Sequence, residues 1–89
     1  MVYKINYKKS VTKDLDKIDK RQCRRLLNKI EKELSLYPRK GKELVGDFKG
    51  LFSYRIGDYR IIYSIISNNE ILILRVAHGK EVYKKDVFG

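Results

Sequence analysis

The sequence predicts an α+β domain: an N-terminal strand, an antiparallel helical hairpin, then a three-stranded antiparallel meander, with the helices packed on one face of the sheet. Three observations lead there. Apolar residues repeat at helical spacing between residues 10 and 37. They alternate or run continuously, as strands do, over residues 2–8 and 51–77. Finally, Gly57-Asp58 splits an alternating tract, and glycine at the first central position suits a tight type II′ hairpin.

In residues 2–8, Tyr3, Ile5 and Tyr7 share one face and Lys4, Asn6 and Lys8 the other, so one face is buried. Ser10 offers a helix N-cap, followed by Val11, Leu15 and Ile18, with Asp14 expected in the first turn to complement the helix dipole. Asp19 offers the next cap. Cys23, Leu26, Leu27, Ile30, Leu34 and Tyr37 then form one stripe, cations occupy the other sides, and Pro38 ends the helix. The link between the helices is so short that they run close to antiparallel. Cys23 reads as a small core residue, not as a nucleophile.

Residues 38–50 form a basic, glycine-containing loop. On the first hairpin strand Phe52, Tyr54 and Ile56 share a face opposite Ser53 and Arg55. On the second, Tyr59, Ile61, Tyr63 and Ile65 oppose Arg60, Ile62, Ser64 and Ile66. After a turn at residues 67–69, residues 70–77 are apolar on both faces, as in a central strand covered twice. Arg75 interrupts that run, with Glu70, Glu81 or a partner not evident from the sequence. The N-terminal strand joins beside the first hairpin strand or at an edge. A guanidinium at a strand centre needs water, an anion or a carboxylate. Arg55 and Arg60 therefore mark either a solvated open face or a cationic site.

Eighty-nine residues make a single domain, 1–89, with a thin core. A lone Cys gives no disulfide framework, and one His with one Cys gives no metal site. No P-loop or dinucleotide fingerprint is present, so no cofactor is expected. Nothing reads as a signal peptide or membrane span, which makes the cytoplasm the expected location and a membrane no partner. Twenty-one Lys and Arg against eleven Asp and Glu give a net charge of +10, which points to a polyanionic partner.

The tract GLFSYRIGDYRIIY at residues 50–63, with ILRVAHGKEVY at residues 73–83, resembles the RelE/ParE superfamily of toxins. The resemblance covers almost the whole chain and implies a RelE-like fold. It also implies one of two activities. RelE-type members cleave messenger RNA, typically on the ribosome. ParE-type members inhibit DNA gyrase without cleaving anything. Both imply a cognate antitoxin, with operator DNA bound only through the antitoxin complex.

The RelE-type reading is the expected one: a toxin of a type II system acting as a metal-independent endoribonuclease on mRNA and ribosome. By resemblance, Arg60 matches the arginine facing the scissile phosphate and Arg55 a basic position on the preceding strand. Tyr83 matches a late tyrosine that stacks on a base or assists proton transfer, and Lys80 supplies a late cation. Lys49, Ser53, His78 and Lys84 complete the expected RNA contacts. Two departures stand out: Ser53 where a second cation is common, and Gly79 where many members have Arg. Plainer roles exist for the same residues. Tyr83 also suits a sheet-edge cover, His78 a hydrogen-bonded strand end, and a third class would keep only antitoxin binding and nucleic-acid affinity.

Overall fold

The computed structural model describes residues 2–79. Its elements are β1 (Lys4–Tyr7), α1 (Lys9–Asp16), α2 (Lys20–Leu36), β2 (Lys42–Glu43), a 3-10 turn (Gly46–Phe48), β3 (Phe52–Ile56), β4 (Tyr59–Ser67) and β5 (Glu70–His78). The sheet has five strands in the order β1-β5-β4-β3-β2. The α+β class, the helical hairpin and the meander stand as expected. The N-terminal strand takes an edge, one of the two places expected, and runs parallel to β5. One point differs. A two-residue strand from the basic loop, β2, pairs antiparallel with β3 and adds a fifth strand too short to leave an alternating signature.

Only one side of the sheet meets the helices. Val11 from α1 and Leu26, Ile30 and Leu34 from α2 pack against Phe52, Ile56, Ile61, Tyr63, Ile71, Ile73 and Val76. Each fully buried aliphatic side chain there contributes about 2 kcal/mol relative to exposure. The opposite face is not left wholly open, as the alternation alone implies. Leu44 and Leu51 from the basic loop, with Leu74, pack over Ile62 and Ala77. The face carrying Arg55 and Arg60 is therefore roofed at one end.

Helix ends follow local chemistry, with two corrections. Asp19 caps α2, its carboxylate accepting from the Arg21 N–H at 3.1 Å, a bond worth about 1 kcal/mol. Ser10 is not a cap: α1 starts from Lys8 without a side-chain cap, and the Ser10 hydroxyl donates instead to the Leu74 carbonyl at 3.5 Å. Asp14 lies beyond the first turn, buried against β5. Its carboxylate accepts from the Val76 N–H and pairs with Arg75 Nε, both at 3.0 Å.

Asp14 meets a specific need. β1 ends at the Tyr7–Ile73 pairing, so the distal half of β5 has no neighbouring strand on that side. A backbone donor left there would be buried and unpaired, and Asp14 supplies the acceptor. Arg75 pairs with Asp14, and Glu81 lies outside the described residues. A bulge between Ile62 and Tyr63 inserts Leu74 and reverses the facing of β5, so Ile71 and Ile73 share the core side with Val76. That reversal explains why β5 reads as apolar on both faces.

Tyr37, the last residue assigned to the α2 stripe, is instead exposed. Tyr63 does more than fill space. Its hydroxyl donates to the Pro38 carbonyl at 2.8 Å and accepts from the Gly41 N–H at 3.0 Å, tying the loop after α2 to the sheet. Gly41 is required there, because a Cβ would sit 2.7 Å from that hydroxyl and 3.0 Å from the Ser53 carbonyl oxygen. Burial, opposed by the bond from Gly41, pushes the Tyr63 pKa up.

Two stability predictions follow from these contacts. Asp14→Ala removes the acceptor of the Val76 N–H and the carboxylate paired with Arg75, and is expected to lower unfolding free energy by about 3 kcal/mol in urea titrations. Tyr63→Phe leaves the Gly41 N–H and the Pro38 carbonyl unpaired and is expected to cost about 2 kcal/mol by the same measurement. A loss within error of zero for either would contradict the role given to it.

Candidate functional site

The site is built on the two-residue turn between β3 and β4. Gly57 takes φ +59°, and no non-glycine residue has positive φ among the described residues, so only the first central turn position is left-handed, as a type II′ hairpin requires. The register that follows places Arg55 directly opposite Arg60. Their Cβ atoms are thus about 5 Å apart on the helix-free face, a like-charge pairing that costs stability.

The two guanidiniums differ in restraint. Arg55 is exposed, and its Nε donates to the Gly57 carbonyl at 3.0 Å, folding the side chain back over the turn. Arg60 is half-buried, and its side chain has no hydrogen-bond or ion-pair partner among the described residues. Its stem passes beside Gly79, whose N–H donates to the Asp58 carbonyl at 3.0 Å. A methyl group on Gly79 would lie 3.6 Å from Arg60 Cγ and 3.7 Å from Nε, so that position has room for a side chain.

Arg55, Asp58, Arg60, His78 and Gly79 line a cleft of about 280 Å³. Two cations against one carboxylate make it a place for an anion with several oxygens, and guanidinium forks suit phosphate. Asp58 was legible only as a turn residue. Its place between Arg55 and Arg60 in the sequence is the signal that it shares their cleft.

The other expected contacts are dispersed. Ser53 is on the Arg55 side of β3 but only 4% exposed, too enclosed to meet a large ligand. Lys49 is exposed in the loop whose Leu44 and Leu51 roof the same face. His78 is the exception, since it lines the cleft; it is opposite Tyr59 in the register, and its ring meets that tyrosine edge-on at 6.0 Å between centroids. Lys80, Tyr83 and Lys84 lie outside the described residues. Other cations are held elsewhere: Arg39 lies 5.9 Å over the Phe52 ring, and Lys40 pairs with Glu33 at 2.8 Å. That bond raises the Lys40 pKa and lowers that of Glu33.

Cys23 is no nucleophile. Its thiol donates to the Leu15 and Ile18 carbonyls at 3.1 and 3.4 Å, bridging the end of α1 to the start of α2. Desolvation, then the charges of Asp19 and Asp16, push its pKa up and keep it protonated. Among the described residues no three His, Cys, Asp or Glu side chains gather as metal ligands would, and no helix is long and apolar enough to cross a membrane.

This architecture and sequence are shared with known proteins. Residues 5–83 match the family described as ParE toxin of type II toxin–antitoxin system, parDE. Toxin RelG of Mycobacterium tuberculosis is 32% identical over 87 residues, covering 96% of this chain and 100% of the relative. The RelBE2 toxin–antitoxin complex of the same organism contains a chain 31% identical, with a TM-score of 0.80 over 88% of this chain and 99% of that one. The archaeal RelE–RelB complex of Pyrococcus horikoshii gives 32% identity and a TM-score of 0.63, over 91% of this chain and 99% of its counterpart. Escherichia coli RelE, at 16% identity and a TM-score of 0.73 over 99% of this chain and 92% of that one, shares the fold. The chain therefore belongs to the RelE/ParE superfamily and is a toxin of a type II toxin–antitoxin system.

Proposed function

We propose that this toxin is a metal-independent endoribonuclease that cleaves messenger RNA on the ribosome. The observation that carries the reading is the opposed Arg55–Arg60 pair, one tied to the turn and one without a side-chain partner among the described residues, on the face the helices leave uncovered. In the reaction, the ribose 2′-oxygen bonds to the adjacent phosphorus and the bond from phosphorus to the 5′-oxygen breaks. A base takes the 2′-hydroxyl proton and an acid gives one to the departing 5′-oxygen. The ends produced are a 2′,3′-cyclic phosphate and a 5′-hydroxyl.

Arg60 holds the non-bridging oxygens, whose charge grows in the phosphorane, and Arg55 adds a second cation. Proton transfer falls to Tyr83 and Lys80. A free phenol titrates near pH 10, and neighbouring cations lower that value toward neutrality. Lys49 and Lys84 bind backbone phosphates. An antitoxin with an acidic segment covers the site in the resting cell, a partner in keeping with the relatives seen in RelBE2 and RelE–RelB complexes. Operator DNA is bound through that complex, and the toxin acts in the cytoplasm.

A second reading has its own support. The matching family is described by ParE, and the positions that would enrich the cleft in cations carry a buried Ser53 and Gly79. On that reading the chain inhibits DNA gyrase and cuts nothing. Supercoiling by purified gyrase in the presence of the toxin decides it, and full activity at micromolar toxin removes the alternative.

Mapping RNA 5′ ends after induction of the wild type and of Arg60→Ala tests the nuclease. The wild type is expected to arrest growth and create new ends within translated messages. Arg60→Ala is expected to reduce their formation about 100-fold, the usual loss when one preorganised donor to a transition-state oxyanion is removed. Arrest without new ends would overturn this function.

A further inference from the structure

The outer surface of α2 is a second cationic surface, and its Arg25 and Lys29 reach the hairpin turn, sharing a pocket with Asp58, which also lines the Arg55–Arg60 cleft. Leu26, Ile30 and Leu34 face the sheet, and at 3.6 residues per turn the opposite side of the helix carries Arg21, Arg25, Asn28, Lys29 and Lys32. These residues, with Arg24 and Glu33, line a broad depression of about 530 Å³. Glu33 is turned to Lys40 at 2.8 Å, so the row from Arg21 to Lys32 has no ion pair of its own among the described residues. Arg21 and Arg25, then Arg25 and Lys29, repel each other one turn apart, a cost to the helix that a bound anion removes.

We propose that this row docks the phosphate backbone of a structured RNA while the Arg55–Arg60 cleft engages the strand to be cut. The row is about 16 Å long at 1.5 Å per residue, enough to meet several phosphates along one strand. Charge complementarity and the lack of anchors select the occupant. None of the large exposed apolar side chains falls between residues 20 and 35: the described ones are Val2, Tyr7, Leu36, Tyr37, Val45 and Ile66. A protein partner docks through buried aromatic or aliphatic anchors, whereas a phosphate backbone needs only cations and polar donors. The row and the cleft lie on either side of the Gly57-Asp58 turn, so an RNA held on α2 can adjoin the strand engaged in the cleft. The choice of RNA over other polyanions rests on the nuclease reading.

The test replaces Arg21, Arg25, Lys29 and Lys32 together by Gln, which keeps helix propensity and removes four charges from exposed positions. A control carries Gln at Lys4, Lys9, Lys13 and Lys42, also exposed. Circular dichroism confirms that both are folded. Affinity for a fluorescein-labelled RNA hairpin is then measured across a salt series, with a DNA duplex of equal length as competitor. The α2 variant is expected to lose at least about tenfold in affinity and to flatten the log–log salt slope by about 3, one phosphate contact per lost cation. The control is expected to keep most of the wild-type slope.

Equal losses in the α2 variant and the control would show a diffuse charge effect and overturn the proposal. Unchanged RNA affinity in the α2 variant, or stronger binding to DNA, would also overturn it. Weakened binding of the antitoxin with RNA affinity intact would assign the row to a protein instead. Because this readout is affinity and not cleavage, an inactive wild type that still shows the α2-dependent slope would refute the nuclease and leave the docking row standing.

Discussion

The register of β3 on β4 is the constraint on which the molecule depends. Tyr54 opposite Ile61 and Phe52 opposite Tyr63 put aromatic and aliphatic bulk under the helices, and the same register puts Arg55 opposite Arg60 on the other side. A slip of β4 by one residue against β3 would send Arg60 into the core and turn Ile61 and Tyr63 outward. The core holds a like-charge pair that would not form by itself, and the left-handed glycine at the turn sets where that pair sits. Stability is thereby committed to a site with no role in stability.

The helices and the sheet edge serve the same end from the far side. α1 packs against β5, and Asp14 replaces the strand that β1 does not extend far enough to supply. Tyr63 reaches through the sheet margin to hold the chain at Pro38 and Gly41, and this fixes the start of the loop that roofs the cationic face. The face is thus covered at its loop end and carries the Arg55–Arg60 pair at its hairpin end. Charge is distributed by the same logic: acids pair with cations where elements meet, as in Asp14–Arg75 and Glu33–Lys40, while the cleft and the outer side of α2 keep an excess of positive charge.

Strong periodicity made most of the fold legible. The hairpin, its turn, the α2 stripe and the Asp19 cap could be read because each rests on local chemistry within a few residues. The misreadings were non-local. Nothing near Ser10 shows that its hydroxyl is drawn to β5, and Asp14 looks like a dipole partner until the unpaired edge of β5 is seen beside it. The parallel place of β1 depends on which edge the helical connection can reach. The bulge at Leu74 reverses facing in a run apolar on both sides, so no alternation could reveal it. Within the candidate site, Arg55 and Arg60 were legible because charge inside an apolar strand is costly. Asp58 was hidden by its suitability for a turn, and the burial of Ser53 depends on the loop folded over it.

The central claim is that the Arg55–Arg60 cleft holds a phosphate for attack by the neighbouring 2′-hydroxyl. Ribosomes programmed with a message bearing a single 2′-deoxynucleotide at the mapped cleavage position test it most directly, against the all-ribose message in the same reaction. The all-ribose message should be cut to a 2′,3′-cyclic phosphate, and the deoxy message should bind the toxin and stay intact. Equal cutting of both messages, or of neither, would contradict the mechanism.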